Sequence, residues 1–226
     1  MAKTFSIAID GPAGAGKSTI ARRLAKDLGF YYVDTGAIYR TVAYFMDLLG
    51  ISPKDVDGVE RYIDELTISI EYDEEGVQHM IMNTMDVTDD IRTQDISQKA
   101  SLVSAHSVVR DVLLNMQRDV AKKHNVIMDG RDIGTVVLPK ANVKIFLTAD
   151  AEVRAKRRYD ELIAKGQKAN LPQILKEIQQ RDYQDMNRAI APLKQAKDAV
   201  KVDTSNLDID GVVDAIKAIV KEKIAL

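Results

Sequence analysis

A glycine-rich segment close to the amino terminus has the composition of a phosphate-binding loop. Residues 11–18 fit the pattern G-x-x-x-x-G-K-S/T. In that pattern the glycines let successive backbone N–H groups point at phosphate oxygens. Lys17 can reach the β- and γ-phosphates, and the Ser18 hydroxyl can bind Mg²⁺. The segment therefore predicts a site for a nucleoside triphosphate, made of Gly11, Pro12, Ala13, Gly14, Ala15, Gly16, Lys17, Ser18 and Thr19.

The residues on either side of this loop favour the same interpretation. The apolar, β-branched run 5–9 predicts a buried strand, and Ile20, Leu24 and Leu28 recur every four residues in a helix over 19–28. A helix that begins directly after the loop adds the positive end of its dipole to the phosphate site. The order of strand, loop and helix is the one that this kind of loop needs.

Strands alternate with helices along most of the chain, which is typical of a parallel sheet covered on both faces. The pattern predicts further strands over 31–33, 125–128, 143–147 and 200–202, and helices over 37–49, from 151 and over 209–224. We therefore expect an α/β fold with a five-stranded parallel sheet and helices on both faces.

The middle of the chain departs from this alternation. Residues 67–72 alternate in polarity, 73–76 form a turn signal, and 77–82 can return as an antiparallel partner. We expect residues 54–100 to be an inserted subdomain on a core of 1–53 and 101–226. The polar stretch 165–170 joins two helices and is either part of a short lid near 158–172 or merely a helix connection.

Composition limits the class of protein. The 226 residues are 46% hydrophobic and 29% charged, as in ordinary globular proteins, and the net charge of −2 does not favour nucleic acid. Cysteine is absent, which excludes disulfides and thiolate chemistry. Gly11 interrupts the only early apolar run, and no stretch approaches the roughly 18 apolar residues of a membrane span. We therefore expect a cytoplasmic protein with no nucleic-acid and no membrane partner.

The loop alone does not separate kinases from other nucleotide-binding proteins. No N-K-x-D segment for reading guanine occurs in the chain, so a GTPase is disfavoured and a small kinase with an acceptor site remains. Arginines on helices could form that site, because guanidinium groups bind phosphate bidentately. Candidate clusters are residues 34–40, Ser101 with Arg110, residues 129–132, the i, i+4, i+7 set Arg181, Asp185 and Arg188, and the set Arg154, Arg157 and Arg158 on the preceding helix.

Together these clusters resemble the bacterial cytidylate kinases, which belong to the nucleoside monophosphate kinases. The resemblance covers essentially the whole length, in order. It is carried by residues 10–19, 34–40, 91–93, 101, 109–110, 129–137 and 181–188. The stretches around Asp34 and Asp129 are far more specific than the loop. Thr35 stands where some relatives have serine, which keeps the hydroxyl.

The resemblance implies a P-loop NTPase fold and phosphoryl transfer from ATP to CMP and dCMP. It implies that Ser101, Arg110 and Asp132 read cytosine, with the insertion as the monophosphate-binding subdomain. Acceptor phosphate and sugar would be held by Thr35, Arg40, Arg131, Arg181, Asp185 and Arg188. Catalysis would involve Lys17, Arg131, Arg157 and Arg188, with Arg154 and Arg158 on ATP. Mg²⁺ would bind Ser18, with Asp129 reached through water, and a monomer is expected.

Elementary chemistry makes these roles sensible. Asp132 can accept a hydrogen bond from the cytosine amine, whereas uracil would place a carbonyl against that carboxylate. This mismatch should weaken binding of the uracil nucleotide in the transition state by at least ~2 kcal/mol, which lowers its kcat/KM more than tenfold relative to the cytosine nucleotide. No general base is needed, because a monophosphate with a second pKa of about 6 is already ionised at neutral pH.

Structural alternatives remain open for each cluster. Arg181, Asp185 and Arg188 could be a solvated salt-bridge ladder on one helix face, and Arg154, Arg157 and Arg158 an exposed basic face. Asp129 and Asp132 could each cap a turn, and Ser101 could be an ordinary surface serine. For Asp34 we favour a structural N-cap.

Two rival functions also remain. A small-metabolite kinase would phosphorylate a hydroxyl with Asp34 or Asp129 as base. A nucleotide-dependent switch would bind ATP without transferring phosphate.

Overall fold

The computed structural model describes residues 4–224. In chain order its helices and strands are β1 (Ser6–Asp10), α1 (Lys17–Leu28), β2 (Tyr31–Asp34), α2 (Thr35–Leu48), α3 (Val56–Tyr62), β3 (Ile68–Tyr72), β4 (Gln78–Met82), β5 (Met85–Asp86), α4 (Gln94–Val103), α5 (Ser107–Lys123), β6 (Val126–Gly130), β7 (Val143–Thr148), α6 (Ala151–Ala164), α7 (Leu171–Asn187), β8 (Val200–Asp203) and α8 (Ile209–Ile224). A π-helical turn, Ile133–Val137, follows β6.

The central sheet has five strands in the order β2-β6-β1-β7-β8. All of the pairings are parallel, which confirms the predicted sheet. Its register aligns Asp34 with Asp129 and Asp10 with Gly130. Asp10, Asp34 and Asp129, at or next to the carboxyl ends of β1, β2 and β6, therefore lie at one edge of the sheet, where ligands of open α/β sheets bind.

Apolar side chains cover both faces of this sheet. On one face Ile7 and Ile9 pack with Leu24 of α1 and Ile216 of α8. On the other face the strands pack against α2, α4 and α5, so the prediction of helices on both faces is confirmed. Within residues 4–224 no helix combines the length and the apolar composition needed to cross a membrane.

Helices α1 and α2 begin earlier than the sequence pattern indicates. Gly16, at φ 86°, is the N-cap of α1, so this helix begins at Lys17 rather than at the predicted residue 19. Helix α2 begins at Thr35, two residues before the predicted start, because Asp34 caps it by accepting from the Ala37 N–H. Lys17, Ser18 and Thr35 thus lie in first turns, where backbone N–H groups have no partner within the helix and are available to a ligand.

The predicted antiparallel hairpin is present as β3 and β4, with Ile70 opposite Met80. A short third strand, β5, joins its sheet and was not predicted. The expected boundary between residues 100 and 101 lies inside α4, so that helix continues across it. The division into core and insertion stays a prediction. The segment 165–170 connects α6 to α7 and is mostly exposed.

Candidate active site

The glycine-rich loop folds tightly between β1 and α1. Gly11 lies so close to β7 that a Cβ atom there would stand 2.0 Å from the Leu147 carbonyl oxygen, so only glycine fits. Lys17 is 6% exposed and its Nζ donates to the Pro12 carbonyl oxygen at 2.8 Å. The ammonium group is therefore fixed across the loop.

Two cavities meet at this loop. The first has a volume of about 240 Å³ and the second of about 740 Å³. Gly14, Lys17 and Ser18 line both of them, so these three residues lie where the cavities join. A ligand in each cavity would place its end beside the same cation.

The first cavity collects most of the residues expected to bind an acceptor. Those that line it are Thr35, Arg40, Ser101, Arg131, Asp132, Arg181, Asp185 and Arg188, together with Asp129. Arg110 does not line it but is bonded to Asp132, which does. The second cavity is lined by residues 14–19 of the loop and by Arg154, Arg157 and Arg158.

Asp132 is held between two guanidinium groups. Its carboxylate accepts from Arg110 in a short contact and from Arg188 at 3.2 Å. Burial raises the pKa of Asp132, although both arginines oppose the rise. Its side chain makes no capping bond to the following turn. The interpretation of Asp132 as a turn cap is therefore wrong.

Asp10, which ends β1, caps that turn instead. Its two carboxylate oxygens accept from the N–H groups of Ile133 and Gly134, each at 2.7 Å. Burial, with a smaller contribution from Asp132, raises the pKa of Asp10 to about 6. No sequence pattern predicted this role for Asp10, although the residue directly precedes Gly11. Through this pair of bonds β1 determines where Asp132 lies.

Cationic side chains on the first cavity have unused donors. Arg131 Nε donates to Asp185 at 2.8 Å and Arg40 donates to Asp34 at 3.0 Å. The Nε atoms of Arg40 and Arg181 are buried and have no partner within residues 4–224. Burial, and then the Arg131 cation, lower the pKa of Arg181 to about 10. Buried guanidinium donors without acceptors are suited to an anionic ligand.

Arg188 departs from its predicted position. It is the C-cap of α7, with φ −63° and ψ 142°, so it does not share a helix face with Arg181 and Asp185. Its Nε donates to the Ala191 carbonyl oxygen at 2.8 Å. Asp185 is 5% exposed and is paired with Arg131. The solvated-ladder interpretation is therefore wrong, since these side chains face the first cavity.

The three arginines of α6 differ from one another. Arg154 is buried and donates to the carbonyl oxygens of Ala13 and Ala149 and to Asp182 at 2.6 Å. Arg157 donates to the hydroxyl and carbonyl of Thr204. The Arg158 side chain is 39% exposed and is paired with Glu161. The interpretation of these arginines as an exposed basic face is therefore wrong for Arg154, and only Arg158 fits it.

Asp129, the second-last residue of β6, has two hydroxyl partners. The Ser18 hydroxyl donates to Oδ2 and the Tyr32 hydroxyl to Oδ1, both at 2.9 Å. Burial, and then the neighbouring Asp34 carboxylate, raise the pKa of Asp129 to about 6. The side chain therefore does not cap a turn as one alternative proposed. The Thr35 hydroxyl donates to the Asp129 carbonyl at 2.7 Å.

Asp34 has the structural role that the sequence favoured. Its Oδ1 accepts from the Ala37 N–H at 2.9 Å and its Oδ2 from Arg40. Both oxygens are thus occupied, which weakens the case for Asp34 as a base in a small-metabolite kinase.

Sequence reasoning assigned no individual role to several residues that line the first cavity or bind its carboxylates. Tyr39, Ser97 and Ser104 line the first cavity, and Tyr32 binds Asp129. Ser104 also contacts Arg188 at 3.4 Å. The role of Tyr32 could have been predicted from the sequence, because a tyrosine in a buried strand needs a hydrogen-bond partner for its hydroxyl. Nothing in the spacing marked the two serines.

Comparison with known proteins shows the family to which the chain is similar. The family model described as Cytidylate kinase matches residues 7–222. A cytidylate kinase of Exiguobacterium sp. is 47% identical over 222 residues, covering 98% of this chain and 99% of that protein. One of Clostridium botulinum is 48% identical over 218 residues, covering 96% and 98%. In fold, the chain is similar to the crystal structure of an uncharacterised protein from Eubacterium ventriosum, with a TM-score of 0.52 at 14% identity, covering 96% and 99%. The chain belongs to the cytidylate kinase family.

Proposed function

We propose that this protein transfers the γ-phosphoryl group of ATP to CMP and dCMP, giving ADP and CDP or dCDP. The observation that carries the proposal is the junction of two cavities at Lys17. Donor and acceptor phosphates would meet there, and membership of the cytidylate kinase family supports CMP as an acceptor.

The first cavity would hold the acceptor monophosphate. Its phosphate would take up the unused donors of Arg40 and Arg181 and face Arg131, with Thr35 nearby. Asp185 and Arg188 would contact the sugar and phosphate, as in the family. Asp132 would accept from the cytosine amine, with Ser101 and Arg110 completing the contacts to the ring. Arg110 and Arg188, which are paired with Asp132, would keep its carboxylate oriented towards that amine.

The second cavity would hold ATP. A volume of about 740 Å³ is in the range of cofactor sites. The triphosphate would lie along the loop N–H groups and the first turn of α1, with Arg154, Arg157 and Arg158 on its outer side. Arg157, Arg131, Arg188 and Lys17 would balance the charge that develops on the transferring group.

The residues present fit Mg²⁺. Ser18 Oγ and the Asp129 carboxylate are hard oxygen donors 2.9 Å apart, which is the ligand type that Mg²⁺ prefers. No group of three or more His, Asp or Glu side chains among residues 4–224 could hold a metal by itself, so phosphate oxygens and water would complete the shell. When bound, Mg²⁺ neutralises phosphate charge.

Transfer would need no general base, because the acceptor phosphate is ionised at neutral pH. The chain's own cations overcome the repulsion between the two anions and hold them in line. We propose that the insertion, 54–100, and the lid, near 158–172, close over the ligands and exclude water, which would compete as an acceptor.

An acceptor panel tests this function. ADP release is followed with CMP, dCMP, UMP, AMP, GMP and dTMP at fixed ATP. We expect kcat/KM for CMP and dCMP to exceed that for UMP by more than about tenfold. A preference for AMP or dTMP would overturn the assignment of the base site.

Asp132→Asn tests base reading directly. The amide can donate to the uracil carbonyl, so we expect the CMP-over-UMP ratio of kcat/KM to narrow about tenfold or more, with KM for ATP within about twofold. Asp86→Asn changes a carboxylate at the end of β5 that is 47% exposed and serves as control. An unchanged ratio in Asp132→Asn would move base recognition elsewhere.

A further inference from the structure

Tyr32 has no assigned role, yet its hydroxyl is bonded to the carboxylate that faces the loop. The residue is 7% exposed, and its OH donates to Asp129 Oδ1 at 2.9 Å. The other oxygen, Oδ2, accepts from Ser18 at 2.9 Å. Each carboxylate oxygen therefore has one hydroxyl donor, and only one of these donors belongs to the loop.

The tyrosine is itself held on three sides. Its strand is paired with β6, Tyr32 being opposite Ile127. The Arg22 guanidinium lies over its ring, 5.6 Å from the centroid. The Tyr72 hydroxyl, on the hairpin, donates to the Tyr32 carbonyl oxygen at 2.9 Å. These three contacts fix the position from which the Tyr32 hydroxyl binds Asp129.

We propose that Tyr32 is a positioning residue for the metal site: its hydroxyl occupies Asp129 Oδ1 and keeps Oδ2 aimed at Ser18 and the metal-bound water. The proposal rests on the assignment of Mg²⁺ to Ser18 and Asp129. Carboxylates in metal sites are themselves hydrogen-bonded, and removal of such a partner typically weakens metal affinity about 10–100-fold.

The arrangement explains why a carboxylate so deeply buried would remain usable by the metal. Asp129 is 4% exposed, and a buried carboxylate with an unpartnered oxygen would rotate towards whichever donor is available. With Oδ1 held by Tyr32, the Ser18 proton has a fixed acceptor in Oδ2, and the Ser18 lone pairs remain free for the metal.

The test is Mn²⁺ binding to the complex of the full protein with ADP, measured by electron paramagnetic resonance. Mn²⁺ suits the same oxygen ligands as Mg²⁺. For Tyr32→Phe, which retains the packed ring, we expect the Mn²⁺ Kd to rise about tenfold. We expect ADP affinity in EDTA to stay within about twofold, because the loop contacts do not change. The Mg²⁺ concentration for half-maximal activity should rise with the Mn²⁺ Kd while KM for CMP does not.

Tyr72→Phe is the matched control. It removes a tyrosine hydroxyl from the same cluster, but one bonded to the Tyr32 backbone and not to Asp129, so the Mn²⁺ Kd should stay at the wild-type value. Equal Mn²⁺ affinity in Tyr32→Phe and wild type would overturn the positioning role. An equal loss of ADP affinity in EDTA would also overturn it, because the effect would then be structural.

Ser18→Ala and Asp129→Asn separate this proposal from the one on which it rests. If both weaken Mn²⁺ binding while Tyr32→Phe does not, the metal site stands and the role of Tyr32 is refuted. If neither weakens it, the metal assignment itself fails and the role of Tyr32 falls with it.

Discussion

At the scale of single residues, Lys17 is the basic side chain that lines both cavities. Burial, and then the Arg131 cation, lower its pKa to about 7, although Asp129 and Asp185 oppose this. A lysine buried beside arginines and with no phosphate nearby retains its proton only weakly. Anionic ligands in either cavity would favour the charged ammonium.

Binding of ADP should therefore take up a proton. With a pKa of about 7, Lys17 should be largely neutral at about pH 8 in the free protein and charged beside phosphate, so up to one proton should be taken up. Calorimetry in buffers of different ionisation enthalpy measures it. Lys17→Ala should abolish this uptake and lower kcat by about two decades or more, through lost charge stabilisation. Equal uptake in both proteins would contradict the assignment.

At the scale of elements, one short turn links the phosphate loop to the base-reading carboxylate. The π-helical turn begins at Ile133, directly after Asp132, and Asp10 holds its first two N–H groups. Such turns are rare in proteins, and those that occur are frequently found at functional sites. The end of β1 therefore positions both the loop that begins at Gly11 and the side chain that would contact cytosine.

Stability should depend on Asp10 in a defined pH window. The pKa of Asp10 is raised from 3.8 to about 6, so between these values the folded state binds the proton more tightly than the unfolded state. Protonated Asp10 therefore adds to the free energy of unfolding below pH 3.8, and this contribution is lost as the pH rises to about 6. Relative to Asp10→Asn, the wild type should lose roughly 2–3 kcal/mol between about pH 4 and 7. Urea unfolding of both proteins measures this, and parallel pH profiles would refute it.

At the scale of the whole molecule, the inserted segment shares an apolar core with the sheet. Val59 and Met80, from residues 54–100, belong to the same buried cluster as Val33 and Val126 of the sheet. The expected division into core and subdomain therefore does not coincide with two separate hydrophobic cores. Motion of the hairpin relative to the loop would have to preserve this contact.

Thermal unfolding should accordingly be a single transition. Because the insertion has no separate core, we expect one calorimetric peak with equal calorimetric and van't Hoff enthalpies. CMP should shift the whole peak upwards, as RT ln(1 + [L]/Kd) requires. Two peaks, only one of which responds to CMP, would show that the insertion unfolds by itself.

Local patterns were enough for most of the architecture. Alternation and helical periodicity are patterns over a few residues, and they were sufficient to predict the five parallel strands, the hairpin and the helices on both faces. The observed starts of α1 and α2 lie two residues before the predicted ones. They did not predict β5, which has two residues, or the π-helical turn, because neither has a period to detect. The phosphate loop was recognisable because all residues of its motif lie in one continuous segment, 11–18.

The amino-acid sequence by itself determined the order of the strands along the chain, the phosphate loop, the family and the set of charged residues available to a site. Only the tertiary structure decided which of those charges meet. Asp132 pairs with Arg110 and Arg188, Asp129 with Ser18 and Tyr32, and Arg188 leaves its helix. Tyr32 and Asp129 are 97 residues apart in sequence, and contacts at such separations arise from the register of parallel strands, which no local spacing contains.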